Sequence, residues 1–338
     1  MGQSAGGSHK KECATVTAAA NTLRHGPRRT SLTRDTRNAR KNITMIITKN
    51  SGQIPDALLK ASGSTQSFFR VAAIQMASGP KVEANLDEAG RLIDMAASTG
   101  ARIIALPEYF AIMGMKDTDK VALRERPGDG PIQRWMSEIA AKHRIWLIGG
   151  SIPMESNVPG KVRNTCLVYD KEGKQVARYD KIHLFNMSLG TENYSEERTI
   201  EAGDKVVVVD SPYGRIGLSI CYDLRFPELY RAMGDVNIIV IPSAFTATTG
   251  KAHWETLIRA RAIESLAYVI APAQGGFHVN GRETHGDSMI VDPWGVVLDH
   301  LPRGSGVVVA GVNPHYQQTV RKSLPALTHR TLGLDVKP

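Results

Sequence analysis

From residue 68 onward, short apolar runs of strand length alternate with stretches whose apolar positions recur every three or four residues. Residues 70–76 (RVAAIQM) read as a strand, and 85–97 follow with Leu86, Ala89, Leu92 and Ile93 on one helical face. A strand at 102–106, an amphipathic helix at 131–143 and a strand at 145–152 continue the alternation, which stops in the turn-rich SNVPGK. The rhythm then changes. Residues 165–169 and 176–182 flank the turn KEGK, and 206–210 and 215–220 flank PYG, both hairpin signals. A helix at 227–233, a strand at 236–241, a helix at 253–266 and a strand at 268–273 restore the alternation. Residues 288–291 and 296–298 around PWG form a last hairpin, and 306–312 is the final strand. Crossovers mixed with hairpins predict an α/β chain with mixed sheets and helices packed on their outer faces. No internal repeat and no Pro- or Ser-rich linker interrupts 68–324, so one domain is expected.

Residues 1–67 do not share this pattern. The first 44 hold nine Lys or Arg against Glu12 and Asp35, a net of +7 out of the chain's +9, and contain no aromatic residue. The basic character therefore belongs to an extension without an apolar period, expected to be disordered, and not to the domain at 68–328; residues 329–338 read as a tail. A transit peptide would want an amphipathic stretch, and a nucleic-acid arm would want aromatics among the arginines. The favoured reading is a dispensable extension, or translation truly beginning near Met45, with no nucleic-acid partner.

Composition narrows the classes further. With 42% hydrophobic and 22% charged residues, the 338-residue chain reads as globular, and its apolar runs fall far short of the roughly 20 residues a membrane span requires. Cys13, Cys166 and Cys221 form no CxxC pair, and the histidines form no HExxH, so no disulfide, metal or other cofactor is expected. A cytoplasmic location follows from these expectations.

Three residues carry candidate chemistry. Cys221 ends a strand in GLSICYDLRFPEL, just before Pro227 can open a helix, and a side chain at such an elbow sits at the carboxyl end of its strand, where sites of α/β sheets gather. Most cysteines on buried strands are inert packing. A thiol of ordinary pKa, about 8.5, needs a base or a cation beside it to attack an amide. His183 and His253 are the nearest histidines, though no papain-like signature surrounds Cys221. Glu108 offers another partner, since IIALPEYF places a carboxylate directly after an apolar strand, between Leu106 and Phe110, where apolar surroundings would suit it to proton exchange with a thiol. Lys181 is the third, in ARYDKIHLF, on the strand face it shares with Tyr179, and its ammonium could steady both a thiolate and an oxyanion.

Glutamate, lysine and cysteine in that order, each ending a strand, resemble the nitrilase superfamily of carbon–nitrogen hydrolases. The matching segments AAIQM, LPEYF, YDKIHLF, GLSICYDLRFPEL, PSAFT, HWETLIRARAIE and DSMIVDPWG run through about residues 70–313. The resemblance implies a four-layer αββα sandwich, usually assembled as a homodimer or higher homo-oligomer. It implies Glu108 as general base, Lys181 as oxyanion partner and Cys221 as the nucleophile of a thioester acyl-enzyme. A second family glutamate matches Glu196 best, with Glu192 as runner-up. The implied activity is hydrolysis of a non-peptide C–N bond in a linear amide, to acid and ammonia.

Tyr222 and Asp223 follow Cys221 where true nitrilases have Trp and Glu, so the chain looks most similar to the deaminated glutathione amidase branch. The ω-amidases acting on 2-oxoglutaramate and the N-carbamoyl amide hydrolases are the alternatives, and a noncatalytic scaffold of the same fold is a remote one. The branch implies an anionic 2-oxo acid amide, for whose carboxylate Arg225 is the candidate partner, unless that arginine is spent on Asp223 or Glu228. Tyr109, Tyr222, Phe245 and Thr246 are further substrate-binding candidates. The loops at 113–129 and 277–287 are expected to shape the pocket. Residues 217–221 are not G-x-S-x-G, and no Walker-type loop is present.

Overall fold

The computed structural model describes residues 68–190 and 192–332. The whole expected extension, residues 1–67, with Cys13 and the start near Met45, and residues 333–338 of the tail lie outside the described residues. In chain order the first half runs β1 (Phe69–Gln75), α1 (Val82–Ser98), β2 (Ala101–Ala105), α2 (Asp119–Ala122), α3 (Pro131–His143), β3 (Trp146–Ile148) and β4 (Ile152–Glu155). Then come β5 (Val162–Tyr169), β6 (Gln175–Asp180), β7 (Asn186–Leu189) and β8 (Glu192–Ser195). The second half runs β9 (Val208–Ser211), β10 (Gly214–Leu218), α4 (Pro227–Ala232), β11 (Ile238–Val240), α5 (Ala247–Ser265) and β12 (Tyr268–Ala271). It closes with β13 (Gly275–Phe277), β14 (Glu283–His285), β15 (Ser288–Val291), β16 (Val297–Leu301), β17 (Gly306–Val312) and α6 (Pro314–Ser323).

Two mixed sheets repeat one plan. In the first, β1, β2 and β3 are parallel, with β17 antiparallel on one side and the β5–β6 hairpin antiparallel on the other. In the second, β10, β11 and β12 are parallel, with β9 on one side and the β15–β16 hairpin on the other. Alternation explains the layering. Along β1, Val71 and Ala73 join a core that also holds Leu218, Ile239 and Ile270 of the second sheet. Ala72 and Ile74 turn the other way, onto Leu92 and Ile93 of α1 and a cluster that includes Met136 of α3. Trp254, Ile258 and Ala262 of α5, with Leu229 of α4, cover the second sheet. The result is the expected four-layer αββα sandwich.

Differences from the sequence reading have local causes. The single strand expected at 145–152 is broken into β3 and β4 at Gly149 and Gly150. Leu147 and Ile148 pair with Tyr169 and Val168, whereas Ile152 pairs with Thr165, so the break accommodates one extra residue against β5. The helix expected at 253–266 begins six residues earlier, because Thr246 caps it by accepting a bond from Thr249 N at 3.3 Å, in a stretch of small polar residues that shows no apolar period. Hairpins β7–β8 and β13–β14 and helix α6 were not anticipated. None of the helices among the described residues is long and apolar enough to cross a membrane.

Candidate active site

The ladder of the second sheet's parallel strands continues past their ends. Ser219 N donates to Val240 O at 3.2 Å and Cys221 N to Pro242 O at 2.9 Å. Held this way, Cys221 adopts φ +50°, a left-handed backbone rare for a residue with a Cβ, and opens a short 3₁₀ turn, Cys221–Arg225. Buried Asp223 fastens the turn. Its Oδ2 accepts Ile220 N at 2.8 Å and the Tyr179 hydroxyl at 2.6 Å, while its Oδ1 accepts His183 N at 3.0 Å and lies 2.7 Å from His183 Nδ1. Tyr179 and His183 flank Lys181, so one carboxylate staples the cysteine turn to the segment that carries the lysine. His183 is spent in this staple and stacks on Phe226 at 3.7 Å, and His253 Nδ1 lies 3.2 Å from an Arg225 nitrogen.

Glu108 is positioned by the break between β3 and β4. Gly150 has φ +54°, and a Cβ there would sit 2.1 Å from Pro107 O, so only glycine lets the chain before Glu108 lie this close. Ser151 Oγ then accepts Tyr109 N at 3.0 Å, and Gln274 Nε2 donates to Glu108 O at 3.0 Å. Tyr109 itself has φ +55°. The carboxylate thus leaves β2 at a backbone fixed on both sides.

Lys181 lies between two carboxylates, with Nζ 2.9 Å from Glu108 Oε1 and 2.8 Å from Glu196 Oε2. Asn164 of β5, unmarked in the sequence reading, donates Nδ2 to Glu108 Oε1 at 2.9 Å, and its backbone carbonyl accepts Lys181 N, also at 2.9 Å. Glu196 also accepts the Tyr109 hydroxyl and Phe185 N, both at 2.8 Å. Glu192 instead accepts Thr248 Oγ1 at 2.6 Å, so Glu196 is the glutamate that reaches the lysine.

Burial by itself would strip the Lys181 proton, but the charges of Glu108 and Glu196 outweigh it and hold the ammonium far above its ordinary range. Burial likewise opposes ionisation of Glu196, yet Lys181 and the Phe185 N–H bring its carboxyl below the ordinary value. Cys221 goes the other way. Burial, then the Glu108 charge, push its thiol well above normal, with Lys181 and the Ala244 backbone opposing them. The resting group is a thiol, and attack requires a base to take its proton as the bond forms.

A narrow chamber opens on Cys221, and Glu108, Glu196, Tyr222, Arg225, Phe245 and Thr246 help to line it. Tyr109 faces an adjoining outer chamber that shares Phe185, Glu196 and Arg282 with the inner one. The structure therefore brings together every residue singled out for catalysis, and distributes the substrate candidates over two connected chambers. Arg225 is not spent on Asp223 or Glu228, as the sequence left open. Its guanidinium lies over the rings of Tyr222 at 5.8 Å and Phe245 at 5.4 Å, and no carboxylate among the described residues is within ion-pair reach. Lys120 and Arg282, from the two loops expected to shape the pocket, are the cations that sequence reasoning missed. No group of three or more His, Cys, Asp or Glu among the described residues could hold a metal ion.

Residues 70–322 match the family model described as carbon-nitrogen hydrolase. Over 268 residues the chain is 41% identical to the deaminated glutathione amidase of a Synechocystis strain, covering 78% of this chain and 98% of that protein. It is 37% identical over 276 residues to the deaminated glutathione amidase of Dictyostelium discoideum, covering 78% and 94%. Among solved structures, the nitrilase and fragile histidine triad fusion protein of Caenorhabditis elegans superposes with a TM-score of 0.72 at 36% identity, over 80% of this chain and 68% of that one.

Proposed function

The chain belongs to the carbon–nitrogen hydrolase family, hydrolases of C–N bonds in amides, and on that premise we propose that it cleaves a carboxylate-bearing 2-oxo acid amide, deaminated glutathione first among them, through a thioester on Cys221. One observation carries the reading: Lys181 Nζ sits 2.9 Å from Glu108 Oε1, and both Glu108 and the Cys221 thiol line one chamber. The thiol proton passes to Glu108 as Sγ bonds to the amide carbon, and the carbonyl electron pair moves onto oxygen, facing Lys181 and the Tyr222 N–H. Collapse breaks the C–N bond, and Glu108 returns the proton to the departing nitrogen. Water then attacks the thioester, giving a proton to Glu108, with Glu196 steadying the lysine, and the C–S bond breaks to release the acid and restore the thiol.

The inner chamber supports an anionic acyl group. Arg225 has no carboxylate partner among the described residues, and Thr246 and Thr249 bring the positive end of α5 to the same wall. With deaminated glutathione, the amide next to the oxo acid releases the cysteinylglycine amine, whereas a primary carboxamide releases ammonia. The reading carries with it a cytoplasmic homo-oligomer, with Cys166 and Cys221 both free thiols. Turnover of 2-oxo amides, carbamoyl compounds and nitriles, combined with acid-quenched mass spectrometry, tests it. The expected result is an acyl adduct on the peptide bearing Cys221 with a 2-oxo amide. An adduct elsewhere, or wild-type turnover by C221A, overturns the assignment.

A further inference from the structure

Besides the exposed Lys116, the outer chamber holds two partly buried cations that the reaction above does not use. Lys120, on α2, has a side chain only 14% exposed, and the one carboxylate within ion-pair distance among the described residues, Asp117, is 3.8 Å away and 80% exposed. Its ammonium lies over the Tyr109 ring, 5.4 Å from the centre, and burial draws its pKa below the ordinary lysine value. Arg282, at the junction of the chambers, donates Nη2 to Ala244 O at 2.9 Å and lies 5.3 Å over the Tyr194 ring, while its Nε is buried without a hydrogen-bond partner. Glu196, a carboxylate lining the same chamber, is already committed to Lys181, Tyr109 and Phe185 N. Positive charge enclosed with a donor left over calls for an anion from outside the chain.

Which part of a substrate reaches this chamber follows from the proton path. The departing nitrogen must meet the carboxylates beside Lys181, and Glu196 is the wall common to both chambers, so a leaving group extends past it, away from Arg225. The geometry points to the outer chamber as the leaving-group subsite, in which Lys120 and Arg282 hold a carboxylate at the far end of the departing amine. The subsite deepens the reaction proposed above and rests on it. The preferred substrate is then anionic at both ends, with the acyl carboxylate on Arg225 and the amine's carboxylate on Lys120.

Three amides sharing the 2-oxoglutaryl group test this: a dipeptide amide with a free C-terminal carboxylate, the same dipeptide with a C-terminal carboxamide, and the primary amide. In K120M, kcat/KM for the carboxylate-terminated substrate falls about tenfold or more, through KM, as loss of one charge-assisted contact requires, and stays within about twofold for the other two. Equal losses on all three would make Lys120 a prop for Glu196 and overturn the subsite, as would no loss on any. If wild type cleaves none of them, the assigned reaction is wrong. Calorimetry of the free dipeptide amine with wild type and K120M then still decides the subsite, which stands only if K120M weakens that binding.

Discussion

Two thiols are buried between the same two sheets, and their surroundings could hardly differ more. Cys166 lies on β5, fully enclosed among apolar side chains, and burial alone drives its pKa far above that of an ordinary thiol, to about 12. Cys221 is also buried, though it opens on a chamber, and it stands at a strand end, on a left-handed backbone, with Glu108, Lys181 and Glu196 around it. Only two residues before Cys166, on the same strand face, Asn164 donates to Glu108. Depth is therefore not what separates an inert thiol from a reactive one. The separation lies in where the strand stops and backbone N–H groups, a carboxylate and a cation can converge.

Exchanging each thiol in turn gives the largest contrast. C221A should lose turnover by roughly 10⁴-fold or more while unfolding at nearly the wild-type temperature. C166A should keep turnover and lose about 1 kcal/mol of stability to a small cavity, measured by denaturant unfolding. E108Q comes next, with kcat down roughly 10²- to 10⁴-fold. Because the Glu108 charge holds the Cys221 proton on, its removal should also move the pH profile of iodoacetamide labelling at Cys221 to lower pH. A profile that does not move would mean the carboxylate is not electrostatically coupled to the thiol. K181M leaves Glu108 and Glu196 buried without their cation, and should cost about 3–5 kcal/mol in unfolding free energy, with turnover lost as well.

A further effect concerns Cys166 at alkaline pH. Between pH 9 and about 12 the unfolded chain has released this proton and the folded chain has not. Folding then binds the proton, so stability contributed by this group is intact below pH 9 and declines as pH rises, by about 1.4 kcal/mol per pH unit. C166A should show a shallower alkaline loss than wild type in stability measured across that window. Equal slopes would mean that Cys166 is less enclosed than its neighbours imply.

The sandwich was legible because both sheets write their plan in simple alternation: apolar runs for strands, a 3.6-residue period for α1 and α3, and turns such as KEGK and PYG for hairpins. Glu108, Lys181 and Cys221 were legible because each follows an apolar strand, so that one-dimensional spacing already places it at a sheet end. Asn164 was not, since the middle one of three successive polar residues in VRNTCLVY is as well explained by a solvated position until its neighbours across the sheet are brought beside it. Gly150 carries no signal along the chain. Its use, letting Pro107 approach, depends on a contact across the sheet. Lys120, on the short α2, and Arg282, between β13 and β14, sit in stretches without period, and nothing along the chain reveals that they line one chamber.

The left-handed backbone at Cys221 sets the terms on which this molecule could drift over generations. A residue with a Cβ held at φ +50° carries on the order of 1–3 kcal/mol of strain that glycine would largely escape. Selection for a sturdier fold alone would thus erode position 221, and the nucleophile persists only where turnover is needed. A descendant freed of that need should lose its chemistry at the elbow while the rest of the sandwich, stapled through Asp223, continues to fold.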